Sequence, residues 1–598
     1  MNIYIKKIIG QICLIILSVV LTSFCAIVSY AQTGKRTSTS QLDTFMVSKL
    51  NHNFYGQLNL ESKQNPKEKF APRLLNLGQH RFPVSTHNRQ AQQFINQGIN
   101  LAYAFNHSEA RRAFREAARL DSKLAMAYWG QALVLGPNIN AMMDPNNEAQ
   151  ALKMVQQAKL HMANASSREQ ALINALEKRY SGKSEHRKLN DKSYAEAMRK
   201  VHKRFPDDSD ITMLYVESMM DIRPWSYWMP DGHPHEGTEE IVALTEEVMQ
   251  QNPKHPGALH FYIHLIDTTN TPERAEKAAD ALLTLMPGAG HMVHMPSHIY
   301  YRVGRYSDAI KSNQLSIAVD EEYITECHAQ GLYPMKYYPH NIHFLYFAAT
   351  ADGQSRIAIE AAQKVAAIVS DEKLKEMPMM ADFRAAPYWA LARFGRWEEI
   401  LKVPEPLSEG ILLSGAWHYV RGLAFVATER LYEAEKELGI FREVLKDPSF
   451  DDPLFSKDPL RIVLKIGPEV LAGEIDAAQE KFDSAIAHLE RAVRLEDTLL
   501  NTKLSAWHHP PRLTLGAILL EAGHALEAEA VYWEDLRHHR NNGWALQGLL
   551  QALHAQEKVA QSELIEARFK KAWMRADVEL SSSRFGRDTI GFPVRKAQ

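Results

Sequence analysis

Histidine is the residue type whose placement suggests chemistry: 26 occur in 598 residues, and those between His260 and His343 fall into a pattern. His260, His264 and Asp267 stand at i, i+4 and i+7, a spacing that puts all three on one face of a helix. His294 and His298 repeat the first two at +34, with His291 three residues ahead of His294. His340 and His343 then repeat the His291/His294 spacing. Neutral imidazole is a favoured ligand for zinc, copper, iron or nickel, and an i, i+4 histidine pair on a helix chelates. Pairs from two helices, His260/His264 and His294/His298, joined by Asp267 or Glu217, would complete a four-ligand shell for Zn, Cu or Fe.

Two other readings fit the same residues. The imidazoles can be buried hydrogen-bond partners beside Tyr262, Tyr300 and Tyr301, or they can form a peptide-binding surface together with Arg302. An HEXXH motif is absent, so zinc-protease chemistry of that kind is not indicated. GxSxG, GxxxxGK[ST] and a dinucleotide-binding glycine fingerprint are absent as well, so no reaction type is indicated and the expectation leans away from an enzyme. The stretch Asp231–Glu236 (DGHPHE) could bind a metal, but turn chemistry explains its Gly and Pro. Met292, Met295, Met377, Met379 and Met380 hint at copper, although methionine more often fills core gaps. Trp507–Arg512 (WHHPPR) reads as a proline-fixed helix start. Trp129, Trp225 and Trp228 offer aromatic platforms, a role less common than core packing. Cys327 and His328 diverge by about 100° on a helix and so make a poor nucleophile pair.

The elements that must position these residues are helical. Ala110–Leu120 (ARRAFREAARL) and Ala485–Leu495 (AIAHLERAVRL) place apolar residues three and four apart, and no clear β alternation occurs. With Ala91 as position 1, Phe94, Gly98, Leu101, Ala110, Phe114 and Ala117 fall at 4, 8, 11, 20, 24 and 27, which interlock the two helices of a 34-residue hairpin. With Gly290 as position 1, Tyr300, Tyr306 and Ala309 fall at 11, 17 and 20, with Gly304 at the turn. Further units start near Ser209, Pro256, Pro339, Ala381, Gly415, Ile466, His509 and Gly543.

On these positions the chain resembles the tetratricopeptide repeat (TPR) family over nearly all of its length beyond the N-terminal segment. More narrowly, FNHSEARRAFREAARLD, HPGALHFYIH, GHMVHMPSHIYYRVGRY and PHNIHFL resemble a group of exported bacterial repeat proteins with no established activity. The resemblance implies an all-α fold, a right-handed superhelical solenoid of TPR-like hairpins with a concave surface lined by the first helix of each pair, and binding of a peptide or protein. The histidines then occupy repeat positions 2, 5, 9 and 12, with Glu217 at the place of His264 and His298, and in that family such positions face the groove.

Composition sets the remaining bounds. Lys plus Arg number 69 against 71 Asp plus Glu, which removes any global electrostatic reason to expect nucleic acid or an anionic membrane as partner. Lys6, Lys7, the apolar run Ile8–Val28 and the small residues around Ser29–Tyr30–Ala31 read as a cleaved signal peptide. Export to the periplasm or the outside is therefore expected, with no membrane attachment after cleavage. Cys13 and Cys25 lie in that leader, so Cys327 alone remains and no internal disulfide can form. The expected organisation is a leader over 1–31, an irregular arm over 32–87, TPR-like arrays over 88–370 and 371–580, and a tail over 581–598. The function expected is an exported scaffold whose concave groove binds a peptide or protein through His260, His264, His291, His294, His298, His340, His343, Tyr301 and Arg302. The alternative is a transition-metal-binding protein or metal-dependent enzyme with its site in that groove.

Overall fold

The computed structural model describes residues 69–229, 231–327, 333–406, 410–447, 459–499 and 507–586. The expected leader, most of the expected arm and most of the tail lie outside the described residues. All described residues fall within one compact unit, 57–598. Among them the secondary structure is helical, apart from the isolated bridges Asn138–Ala141 and Trp228–Pro234. No helix of the described residues is long and apolar enough to cross a membrane.

The helices that bear on the site are numbered α1 to α9 in chain order: α1 Arg89–Tyr103, α2 His107–Leu120, α3 Ser209–Met220, α4 Pro256–Ile266, α5 Gly290–His294, α6 Pro296–Arg302, α7 Tyr306–Cys327, α8 Tyr338–Ala351 and α9 Ala381–Arg393. Local signals explain their starts. The Asn88 side chain accepts from the N–H groups of Gln90 and Ala91 at the start of α1, Asp208 caps α3 through Ile211, and Pro256 occupies the first turn of α4. Successive hairpins interlock through a repeated device, an aromatic ring on the second helix wedged against glycines of the first helices on either side. Phe114 of α2 fills the space left by Gly98 and Gly130, Phe441 that left by Gly415 and Gly467, and Tyr532 that left by Gly516 and Gly548. At Gly98 an added Cβ would stand 2.6 Å from the Phe114 ring, so no larger residue permits this approach.

The architecture is thus the expected all-α, TPR-like stack of helix hairpins. Helix starts at Ser209, Pro256, Gly290, Tyr338, Ala381, Pro511 and Gly543 follow the repeat phasing, whereas Gly415 and Ile466 fall inside the longer helices Ile411–Ala427 and Pro459–Ala478. The helix Ser355–Ala367 packs on α9, so the stack runs on across residue 370. Residues 69–87 are irregular but pinned on α1: Phe82 is fully buried, and Gln97 and Asn96 accept from the backbone of Leu74 and Phe82. Late residues return onto middle ones. Arg575 pairs with Asp352 at 3.0 Å, Asp577 accepts from the backbone of Ser355 and Arg356, and the Tyr306 hydroxyl donates to the Arg540 carbonyl.

Candidate metal centre

Six imidazoles gather into two groups of three. One ring nitrogen each from His260, His264 and His291 lies within 4.8 Å of the others, and the same holds for His294, His298 and His340. Helix α4 supplies the first pair from successive turns. Helix α5 supplies one member to each group, His291 and His294. Pro296 interrupts the helix between α5 and α6, and α6 contributes His298. A π-helical turn, Tyr333–Tyr337, precedes α8 and its His340. That turn sends Tyr337 edge-on to His291 at 4.7 Å, while the Tyr333 hydroxyl accepts from the His291 backbone N–H. Its insertion beside the cluster fits the tendency of π turns to mark functional positions.

The groups are interior. His260, His264, His291, His294 and His298 are 0–2% exposed, and only His340 is half-buried. This corrects the groove expectation, because rings packed between crowded hairpins offer no face to a peptide. His343 is also buried, and Tyr301 and Arg302 are half-buried, with Arg302 donating to the Thr269 carbonyl.

Hydrogen bonds fix the tautomers of the second group. Asn313 on α7 donates its amide N–H to the Ala309 carbonyl, which orients its oxygen toward His294 Nδ1 at 2.7 Å. Ser297 Oγ lies farther from that nitrogen, at 3.4 Å. His298 Nδ1 donates to the buried carboxylate of Asp267 at 3.0 Å. Both Nδ1 atoms therefore carry the proton, and both Nε2 atoms present lone pairs, 3.0 Å apart. Two lone pairs so placed repel unless a cation lies against both. The arrangement, with carbonyl or carboxylate acceptors behind the imidazoles, is the one found behind metal-ligating histidine.

In the first group His260 Nδ1 donates to the Tyr103 carbonyl at 2.6 Å, which leaves its Nε2 lone pair facing His264 Nε2 at 2.9 Å. A proton on His264 Nε2 would satisfy that pair alone. It would not satisfy His291, whose two ring nitrogens are both buried without a hydrogen-bond partner. Such a group costs roughly 1–3 kcal/mol. Burial, followed by the neighbouring His260, His294, His340 and His298, holds the His291 pKa well below 6.5, so the ring is neutral and able to ligate.

Aromatic walls enclose both groups. The Phe105 ring lies 4.6, 5.8 and 5.8 Å from those of His260, His264 and His291, and Phe344 lies 5.2, 4.5 and 5.6 Å from those of His294, His298 and His340. Trp225 stands edge-on to His264 at 4.7 Å. Phe105 and Trp225 both hold left-handed backbone conformations, φ 56° and 65°. Bulky residues pay about 1–2 kcal/mol for this, and strain of that kind gathers at functional sites.

The expected four-ligand shell is not the grouping that forms. Its two histidine pairs separate, each gaining a third imidazole. Asp267 stands behind His298 as an acceptor. Glu217 joins neither group; burial and then the nearby Asp221 raise its pKa, while Arg179 opposes the rise. Among the described residues two further clusters exist. In one, His80 Nε2 lies 2.9 Å from Asp210, His255 Nδ1 accepts from the Ala258 N–H, and the buried His255 Nε2 stands 3.3 Å from Asp210. His343, Asp382 and His508 form the other, with His508 Nε2 3.0 Å from Asp382. Asp231–Glu236 is a loop in which Asp231 accepts from the His233 N–H, and it enters no cluster. The roles of Asn313, Phe105 and Phe344 were not read from the sequence. Asn313 sits with Ser312, Ser316 and Asp320 on a buried polar side of α7.

No protein-family model matches the chain, and no curated protein matches it. Solved structures similar to it are helical repeat proteins. The human IFIT1 dimer with m7Gppp-AAAA is 11% identical over 75% of this chain and 90% of that one, with a TM-score of 0.31. The Cut9–Hcn1 hetero-tetramer of APC/C is 13% identical over 89% and 82%, with a TM-score of 0.28. The P58(IPK) TPR domain is 11% identical over 78% and 99%, with a TM-score of 0.22. Fold and site together define an all-α, TPR-like stack of helix hairpins with two buried imidazole trios.

Proposed function

We propose that this chain is a transition-metal-binding protein whose ions are held by His260, His264 and His291 and by His294, His298 and His340. The observation that carries the reading is the facing pair of Nε2 lone pairs on His294 and His298, with both Nδ1 protons committed elsewhere. With both rings neutral the pair sets acceptor against acceptor, an arrangement that a metal ion bound to both nitrogens satisfies. Imidazole-only donor sets suit zinc, copper, iron and nickel rather than magnesium or calcium. Three protein donors per ion leave a coordination position for a small ligand, the arrangement of reactive rather than purely structural sites. Export belongs to this proposal through the leader-like N-terminus and the narrower likeness to exported bacterial repeat proteins. Elemental analysis of protein purified without an affinity tag tests it. Stoichiometric transition metal is expected, reduced in the double variant His294→Ala/His298→Ala. Folded wild-type protein that holds no metal after incubation with zinc or copper refutes it.

A further inference from the structure

Charge and spacing at the two trios carry a step beyond metal binding itself. The trios are neighbours rather than separate sites. His291 and His294 belong to the same short helix, their ring centroids are 6.0 Å apart and their planes differ by 24°. One turn of α5 therefore joins the two donor sets.

All six candidate donors are imidazoles, a ligand type that binds a metal without bringing a negative charge. No carboxylate atom belongs to either trio, and the acid beside them, Asp267, is engaged with the His298 Nδ1 proton. Two divalent ions would bring a charge of +4 into a buried volume walled by Phe105 and Phe344. Buried charge on that scale is not tolerated without compensation close by. Asp267 supplies one negative charge, at one remove from one ion. Asp320, against Gly290 at the start of α5, is a second buried acid nearby; compensation beyond these two falls to a non-protein anion, and each ion, with three protein donors, has a position to receive one. A single anion that fills both positions completes both coordination shells and lowers the charge of both ions at once.

Resting on the metal-binding reading above, we propose that the two trios form one dinuclear centre whose ions are bridged by a small exogenous anion, hydroxide in the resting state. The ions then stand roughly 3.5–4 Å apart, as in other two-metal sites. Hydroxide arises when a water bound between the ions releases one proton to solvent, a loss that two adjacent cations strongly favour. The half-buried His340 marks the side from which the anion exchanges, since the other five imidazoles are buried.

The test uses the full-length protein, stripped with a chelator and loaded with Cu²⁺ alone, with copper counted by mass spectrometry and unpaired spins by EPR before and after acid denaturation. Two copper ions per chain, nearly silent in the native protein and fully visible after acid, are expected, because an anionic bridge couples the two spins. In His340→Ala, which removes one donor at the partly exposed edge, one EPR-visible copper is expected. Two ions with full native signal, or a wild-type capacity of one ion, would overturn the bridged pair while leaving metal binding intact. Silence that persists after acid marks monovalent copper and overturns the anionic bridge. Wild-type protein that takes up no copper and, in a parallel incubation, no zinc overturns the metal-binding reading itself.

Discussion

Replacing Asp267 with Asn isolates what the residue behind a ligand contributes. Asp267 is fully buried, and its carboxylate accepts the His298 Nδ1 proton at 3.0 Å. The negative charge makes the imidazole a stronger donor and fixes the tautomer that presents Nε2. Loss of such a partner typically weakens metal affinity 10–100-fold, roughly 1.4–2.7 kcal/mol. Asparagine keeps an acceptor oxygen and loses only the charge, so Asp267→Asn belongs near the low end, about tenfold. Asp267→Ala, which also frees the tautomer, belongs near the high end. Competition titration with a chromophoric zinc chelator resolves the two binding steps. The expected result is that one step weakens more than the other, since the Asp267 hydrogen bond goes to His298 of the second trio. Urea unfolding of the chelator-treated variants supplies the baseline that separates a loss of affinity from a loss of fold. Both steps within about threefold of wild type, in a folded variant, would refute the view that His298 is a ligand tuned by Asp267.

Two further outcomes follow from the geometry. Burial lowers the His343 pKa from 6.5 to about 4, against the opposing pull of Asp382. Above pH 6.5 the ring is neutral folded or unfolded and has no effect. Between 6.5 and 4 the unfolded chain takes up a proton that the folded one refuses, so stability falls as pH falls, by at most roughly 3 kcal/mol. Urea unfolding of chelator-treated protein across that window should show a shallower pH slope for His343→Gln than for wild type. At the start of α5, a Cβ on Gly290 would collide with the Asp320 carboxylate, which is held by Tyr333 and Asn341. Gly290→Ala should cost about 1–3 kcal/mol, measured by thermal unfolding, and should weaken metal binding at both trios, because α5 carries one donor of each.

Most of the fold was legible because a repeated hairpin writes its packing into the sequence at fixed intervals. Phe94, Gly98, Leu101, Ala110, Phe114 and Ala117 were readable as interlocking positions, and all six are buried, Gly98 beneath the Phe114 ring. The i, i+4 spacing of His260/His264 and His294/His298 likewise showed which rings share a face. The grouping was not legible. Pairing His260 with His264 and His291, rather than with the repeat-equivalent His294, depends on how α4 and α5 pack, and a repeat register carries no information about that. Burial was misjudged for a related reason. Positions that face an open groove in a regular array are covered here, because the turn between α1 and α2, with Tyr103 and Phe105, lies against His260 of α4. Charge alone did not reveal whether Glu217 and Asp267 ligate or stand apart, since either role suits a buried acid beside histidine.

The return of residues 540–577 onto 304–356 changes how the molecule should come apart. An open repeat array melts piecemeal, each unit answering only to its neighbours, and survives trimming from an end. Here the last hairpins clamp the middle ones across more than two hundred residues of chain, so a ring of dependencies replaces a row. Deleting the C-terminal helices should loosen the segment that holds the six imidazoles, although none of those rings lies beyond residue 340. During synthesis, that segment gains the support of Arg575 and Asp577 only after residues 540–577 have left the ribosome.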